Sequence, residues 1–180
     1  GSGRGYVDRW SGCMSSVIRG SDNFDSADAG KVLQVGNFQT GAVATGTTVL
    51  PYDDTIPQIT EGNEYMTLNF TPTNASSTLI IEVICQANSN LANGNAYSTA
   101  LFEGTTANAL AAIGAINFQG YVKPAVLTHK MTAGTTNQLT FRVRAGAGTT
   151  GTTTFNGHEE GNRRFGGVMA SSITVTEVAA

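Results

Sequence analysis

The sequence predicts an all-β fold, an antiparallel β-sandwich and most specifically a jelly roll. Three observations carry that expectation. Apolar and polar residues alternate with a period of two in short runs, turn residues recur between the runs, and no segment has the periodicity of an amphipathic helix. The composition agrees. The 180 residues include 22 Gly, 25 Thr, 21 Ala and 14 Asn but only 4 Pro, and 13% are charged. Hydrophobic residues make up 40% and fall in patterned runs, which argues for a packed core rather than a disordered tail. The length is that of one domain, or of one domain with a short appendage.

Along the chain, residues 1–30 read as a connector or N-terminal extension and residues 31–180 as the sandwich domain. The connector holds the one tryptophan, Trp10, with Val17 and Ile18 as its other apolar anchors, and ends in the irregular polar run Gly20–Gly30. Lys31–Val35 opens the domain as a strand. A long Gly/Thr-rich stretch with Pro51 and Pro57 follows, with one weak strand expected near Thr47–Leu50. Tyr65–Phe70 is a strand stopped by Thr71-Pro72. Thr78–Ala87 alternates most clearly: Leu79, Ile81, Val83 and Cys85 point one way, Ile80, Glu82, Ile84 and Gln86 the other. Both faces are partly apolar, so this strand is expected to be central, with its second face covered by something besides the partner sheet.

Ala96–Phe102 is the next strand. Ala109–Phe118, mostly Ala and Ile, is ambiguous by periodicity, and Gly114 favours strand. Gly120–Lys130 follows, with Pro124 marking an edge or a bulge. Gln138–Arg144 places Leu139, Phe141 and Val143 inward and Thr140, Arg142 and Arg144 outward. Ala145–Thr154 reads as a low-complexity loop, and Ser172–Val178 closes the domain. Eight or nine strands result, without a fixed-period repeat.

Several function classes lack support. A net charge of −3 and a pI near 5.3 leave no general electrostatic footprint for nucleic acid. No apolar stretch is long enough for a membrane-spanning helix, and the first residues show no charged-then-apolar secretory pattern. Cys13 and Cys85 are too few for a disulfide framework, although a single bridge between them remains open. His158 lies beside Glu159 and Glu160 but has no second histidine at ligand spacing, so no metal is expected. His129 reads as a surface residue at a strand end. There is no Gly-x-Ser-x-Gly elbow, no phosphate-binding glycine loop and no calcium loop. Asp53-Asp54 and Glu159-Glu160 are adjacent pairs that point to opposite faces in extended chain, so neither makes an acid/base couple by itself. No catalytic residue, metal or cofactor is expected. Four of the ten basic residues are Arg142, Arg144, Arg163 and Arg164. They read either as a small anionic or subunit-contact patch or as outward arginines that keep strands soluble.

The order of segments carries a resemblance. Gly30-Lys31-Val32-Leu33-Gln34-Val35, then Thr71-Pro72-Thr73-Asn74-Ala75-Ser76-Ser77 leading into Leu79-Ile80-Ile81, then Leu101-Phe102-Glu103-Gly104, and last Ser171-Ser172-Ile173-Thr174-Val175-Thr176-Glu177 occur in that order. This resembles the C-terminal β-domain of tailed-phage tail-fibre, tailspike and related virion proteins, over residues 30–178. Tyr6-Val7-Asp8-Arg9-Trp10 is similar to a segment of some tail-fibre chains. Glu103 departs from the pattern, which often has a basic residue there. The matching motifs are structural, and no catalytic residue is transferable.

The resemblance implies a homotrimeric, virion-associated module, made in the bacterial host cytoplasm, with other virion proteins and a bacterial surface glycan as partners. The small residues at 107–115 are expected to let chains approach closely around an axis. Loop aromatics with Asn and Thr around them suit a sugar. Tyr52, Tyr97, Tyr121 and Phe155 are the candidates, with Arg163 and Arg164 as receptor contacts, and each aromatic has a packing role as its alternative. Two other readings stand beside this one: a capsid decoration or head-fibre protein with a purely structural role, and a fragment of a polysaccharide depolymerase.

Overall fold

The structure, a computed structural model, describes residues 30–92, 95–116 and 121–180. The expected connector, with Trp10 and Cys13, lies outside the described residues, as does the end of the expected strand 109–118. The elements in chain order are β1 (Val32–Thr40), β2 (Ala44–Gly46), β3 (Asn63–Phe70), β4 (Thr78–Ser89), β5 (Ala96–Glu103), β6 (Ala111–Ile116), β7 (Lys123–Thr132), β8 (Leu139–Ala147), β9 (Thr153–Phe155), β10 (Gly157–His158), β11 (Asn162–Arg163) and β12 (Ser171–Val178). Two single 3-10 turns, Glu159–Gly161 and Phe165–Gly167, lie between β10 and β12. No helix among the described residues is long and apolar enough to cross a membrane.

The chain is an antiparallel β-sandwich with jelly-roll order. The long strands pair in nested fashion: β1 with β12, β3 with β8, β4 with β7, and β5 with β6. Further pairing of β12 with β4, and of β8 with β5, completes the two layers. The first sheet runs β1-β12-β4, with β7 on the far side of β4, and β9 and β2 continue it where β12 ends. The second sheet runs β3-β8-β5-β6. Folding a long hairpin over on itself produces this nesting, so chain ends meet in one sheet.

The alternation read in the sequence sets the core. Leu79, Ile81, Val83 and Cys85 of β4 are fully buried, and Val175 and Ile173 of β12 lie beside them. Phe141 and Val143 of β8, with Tyr97 and Leu101 of β5, face them from the second sheet. Tyr65 stacks on Phe155 with ring centres 4.8 Å apart, which ties β3 to β9 across the layers. Pro124 sits on β7, which among the described residues pairs only with β4, an edge position that suits its missing N–H. His129 is mid-strand rather than at a strand end, and its register opposite Ile81 turns it toward the sandwich, half-buried.

Two expectations are corrected, and one strand is covered in a way the sequence did not announce. The weak strand lies at Ala44–Gly46 instead of Thr47–Leu50, and residues 47–50 turn outward over the second sheet. The low-complexity stretch 145–154 is not all loop: β8 runs on to Ala147, and Thr153-Thr154-Phe155 is the buried strand β9. β4 is central, as expected, and β5 is the strand that other described residues of the same chain cover on both faces. Tyr97, Thr99 and Leu101 face the core, while Ser98, Ala100 and Phe102 face outward yet are buried. Their cover is the segment 47–62. Leu50, fully buried, packs with Ala100 and Phe102 and donates its backbone N–H to the Ala147 carbonyl. A side chain at Gly146 would strike the Thr48 carbonyl at 2.6 Å, so glycine there admits the crossing segment. Arg144 ties the end of that segment, donating from Nε to the Glu61 carbonyl and from Nη2 to the Gly62 carbonyl.

Three of the four motifs that carry the resemblance converge on one buried carboxylate. Glu177 accepts hydrogen bonds from Gln34 Nε2 at 2.7 Å, from the Thr73 N–H at 2.9 Å, from the Thr73 hydroxyl at 2.7 Å and from the Asn74 N–H at 3.1 Å. Burial alone would raise its pKa. The donors from Thr73 and Gln34 outweigh that and hold it at about 2. The opening strand, the Thr71–Ser77 turn and the closing strand are thereby joined at one charge, which is a fold-determining role.

Candidate functional site

Exposed aromatic rings mark two places, on opposite layers of the sandwich. The first lies where the neighbour of β4 changes from β12 to β9. Asn156 organises that junction. It is buried, in the left-handed region at φ 53°, which Asn tolerates better than most residues. Its Nδ2 donates to the Thr40 and Ala42 carbonyls, and its Oδ1 accepts from the Ser171 hydroxyl at 2.7 Å. The Ser171 Oγ accepts in turn from the Gln86 N–H. Two small polar side chains thus tie β1, β4 and β12 to the link between β9 and β10. The excursion Gly157–Ala170 therefore leaves the sheet from a fixed point.

That excursion folds over the outward end of β4 and encloses a cavity of about 440 Å³ lined by Gln86, Tyr121, His158, Arg164, Phe165 and Met169. Tyr121 is 69% exposed and Phe165 78% exposed. Phe165 sits at φ 47°, an uncommon conformation for an aromatic residue, held between Arg164 and the two glycines that follow. His158 Nδ1 is buried and has no hydrogen-bond partner among the described residues. Arg163 packs against Gly167, and neither Arg163 nor Arg164 forms an ion pair among the described residues. The cleft offers flat apolar rings, a cation and amide and imidazole groups within one concave surface, a combination that suits a polar ligand with apolar faces.

The second place is Tyr52, 70% exposed, on the segment that covers the second sheet. Its ring lies across Gly114 of the edge strand β6, where a Cβ would come within 2.3 Å of a ring carbon. Gly114 of β6 thereby admits this chain's own Tyr52.

The sequence candidates thus separate. Tyr121 and Arg164 come together in the cleft, Arg163 flanks it, and Tyr52 stands apart. Tyr97 and Phe155 are corrected to packing residues. Tyr97 is fully buried and donates its hydroxyl to the Lys123 carbonyl, and Phe155 is 2% exposed in the Tyr65 stack. Burial also pushes the Tyr97 hydroxyl well above its ordinary pKa. The four arginines form no single patch. Arg142 pairs with Glu64 at 2.9 Å and Arg144 ties the 61–62 turn, far along the chain from Arg163 and Arg164. Sequence reasoning missed Phe165, His158 and Gln86. The run Arg163-Arg164-Phe165-Gly166-Gly167, an aromatic between cations and glycines, is the signal that points to the first of them.

Cys85 is a buried free thiol whose pKa burial pushes up to about 11, which leaves it unreactive. Among the described residues, no three His, Cys, Asp or Glu side chains gather into a metal-binding group.

No protein-family model matches the chain, and no curated protein does. Solved structures with a similar arrangement include the Eiger TNF from S. frugiperda, at 10% identity and a TM-score of 0.43 over 81% of this chain and 92% of that one. Latent PorU from Porphyromonas gingivalis aligns at 12% identity and 0.40, over 83% of this chain and 13% of that one. The VP2 subviral particle of infectious bursal disease virus aligns at 11% and 0.35, over 83% and 39%. These likenesses concern β-architecture alone.

Proposed function

We propose that this chain is an assembly and attachment module of a virion, a homotrimeric β-domain of tail-fibre or tailspike type that meets its own copies through the first sheet and a bacterial surface glycan through the Tyr121 cleft. One observation carries the assembly reading. The outer face of β1, β12, β4 and β7 presents Val35, Ile80, Ile84 and Val126 among Thr174, Thr176 and Thr128, with Glu82 and Lys130 as its charged side chains. Val35 is 58% exposed and Val126 48%. Depletion of charge over a flat, partly apolar face is the composition of an interface centre, not of a solvated sheet. The second sheet has its cover from residues 47–62; among the described residues the first is covered only at its Gln86 end, by the excursion Gly157–Ala170. A closed ring of copies supplies the rest by a heterologous contact. The motif resemblance supports the virion setting, and the rings and cation of the cleft support the glycan.

Sedimentation tests this. The wild-type chain is expected to form one closed oligomer of three copies, and the double substitution Ile80→Lys with Val126→Lys to yield folded monomers. A wild-type chain that stays monomeric at micromolar concentration overturns the assembly reading. Binding to host envelopes that survives both Tyr121→Ala and Arg164→Ala overturns the cleft as the attachment site. An intact trimer that binds no host envelope favours the purely structural decoration role.

A further inference from the structure

The Tyr52 platform has a geometry of its own, independent of the first sheet and of the Tyr121 cleft. Its ring is seated against backbone on one side and open to water on the other. An exposed ring loses nothing by lying flat unless its seat is built for it, and Gly114 is that seat. Cavities flank the ring on both sides. One of about 440 Å³ runs toward Asn95, Ile116 and Thr149, and one of about 190 Å³ runs toward Pro51, Thr55 and Ser98. A third, of about 430 Å³, continues past Asp53 and Asp54 to Ala109–Ala112. Together they trace the outward side of β6, where Ala112, Gly114 and Ile116 form a low floor. At about 3.3 Å per residue, Ala109 to Ile116 spans about 25 Å, longer than a single sugar ring.

The wall of this groove is preorganised. Leu50 anchors one end in a buried cluster. The Ile59 N–H donates to the Ala107 carbonyl and the Ala109 N–H to the Pro57 carbonyl, which lock the other end to the 105–109 turn. Gln58 Nε2 adds a bond to Asn108 Oδ1. Between them, Asp53 Oδ1 accepts from both the N–H and the hydroxyl of Thr55. A rigid wall loses little freedom when a ligand binds.

The lining selects a ligand class. An aromatic face carries partial negative charge and attracts the weakly positive C–H face of a pyranose ring. Asn95, Thr149, Thr55 and Ser98 supply neutral hydrogen-bonding groups along the same line. The three cavities contain Asp53 and Asp54 but no Lys, Arg or His, which repels an acidic chain. We infer that the groove between residues 51–57 and β6 binds the interior of a neutral linear polysaccharide, with Tyr52 as the stacking platform. Among the described residues β6 pairs only with β5, so a protein strand adding to its other edge is the competing occupant.

Calorimetric titration of the purified chain with neutral hexasaccharides tests the inference: cello-, malto- and chitohexaose, with hexagalacturonate as the acidic control. At least one neutral probe is expected to bind, more tightly than its own monosaccharide. Tyr52→Ala is expected to weaken that binding by at least about tenfold with an unchanged circular dichroism spectrum, and Arg164→Ala to leave it unaltered. Gly114→Val, which fills the seat, should reproduce the loss. The inference is overturned if no neutral probe binds, if hexagalacturonate binds in preference, or if Tyr52→Ala has no effect. It is overturned equally if Tyr52→Ala alters only the sedimentation of the chain, which would identify the groove as a protein contact. Loss of binding in Arg164→Ala alone would support the cleft and sink the groove.

Discussion

The outer faces of the two sheets solve the same problem in opposite ways. The outer side of β5 and β8 carries Ala100, Phe102 and Gly146, and residues 47–62 of the same chain cross it and bury it. The outer side of β4 and β7 carries Ile80, Ile84 and Val126, and among the described residues only the excursion Gly157–Ala170 reaches over it, at the Gln86 end. The difference is in how each face is composed. The covered face has Ala100 and Gly146 among its larger Phe102, Arg142 and Arg144, and backbone lies over the small residues. The bare face is β-branched and hydroxyl-rich, with side chains standing up from a flat sheet, which suits the side chains of another sheet or edge. One face is closed within the chain; the other is the face proposed to meet a partner.

The largest expected effect breaks the closure. Leu50→Ala removes the anchor of the covering segment and leaves a cavity against Phe102, at a cost of about 3 kcal/mol. Chemical denaturation should show a lower midpoint with little change in slope. A loss no greater than that of a surface substitution would mean that the segment rests on the sheet without stabilising it.

The next effect is on the charge that closes the jelly roll. Glu177→Gln keeps the shape but exchanges a carboxylate that accepts from Gln34, Thr73 and Asn74 for an amide, and about 2 kcal/mol should be lost. The pH dependence carries the sign. The folded pKa, about 2, lies below the ordinary 4.5. The group therefore contributes stability that is fully present above 4.5 and disappears as pH falls toward 2. Denaturation midpoints of the wild type should fall through that window, and those of Glu177→Gln should fall less.

These contrasts were legible in the sequence to different degrees. The nested strands were, because alternation in 78–87 and 138–144 reports which side chains share a face. β9 was not: Thr153 and Thr154 are buried polar residues inside a Gly/Ala/Thr run, and nothing local distinguishes them from loop. The cover over β5 was not legible, for a physical reason. Ile80 and Ile84 announce a need for cover, whereas Ser98 and Ala100 do not, yet cover is decided by where a segment 40 or more residues away in the chain comes to rest. Tyr97 shares strand parity with Leu101, and that parity was the available sign that it packs inside. Tyr121 and Arg164 were nameable one by one, but only the Asn156 junction brings them together, and a contact across 43 residues has no local signature.

A smaller effect concerns the hinge of the covering segment. Arg144→Ala removes the donors to the Glu61 and Gly62 carbonyls at 2.8 and 2.7 Å. About 1 kcal/mol should be lost. The Gly62 amide, which donates to the Val49 carbonyl, should exchange faster with solvent while the amides of β4 keep their protection. Equal acceleration in both sheets would show that segment and sandwich open as one unit.

The smallest effect on stability is the sharpest test of the bare face. Val126→Thr replaces a methyl by a hydroxyl on a side chain 48% exposed in the single chain, directly opposite Ile84. In an isolated copy the change is worth less than about 0.5 kcal/mol, because water already reaches the site. In an interface the same hydroxyl must be dried without an assigned partner, which costs about 1–3 kcal/mol for each copy that buries it. The unfolding midpoint of dilute protein should barely move, while the association constant read by sedimentation should fall by at least about tenfold. If both quantities stay unchanged, the face is a solvated sheet surface, and the contrast between the two layers reduces to one segment covering one of them.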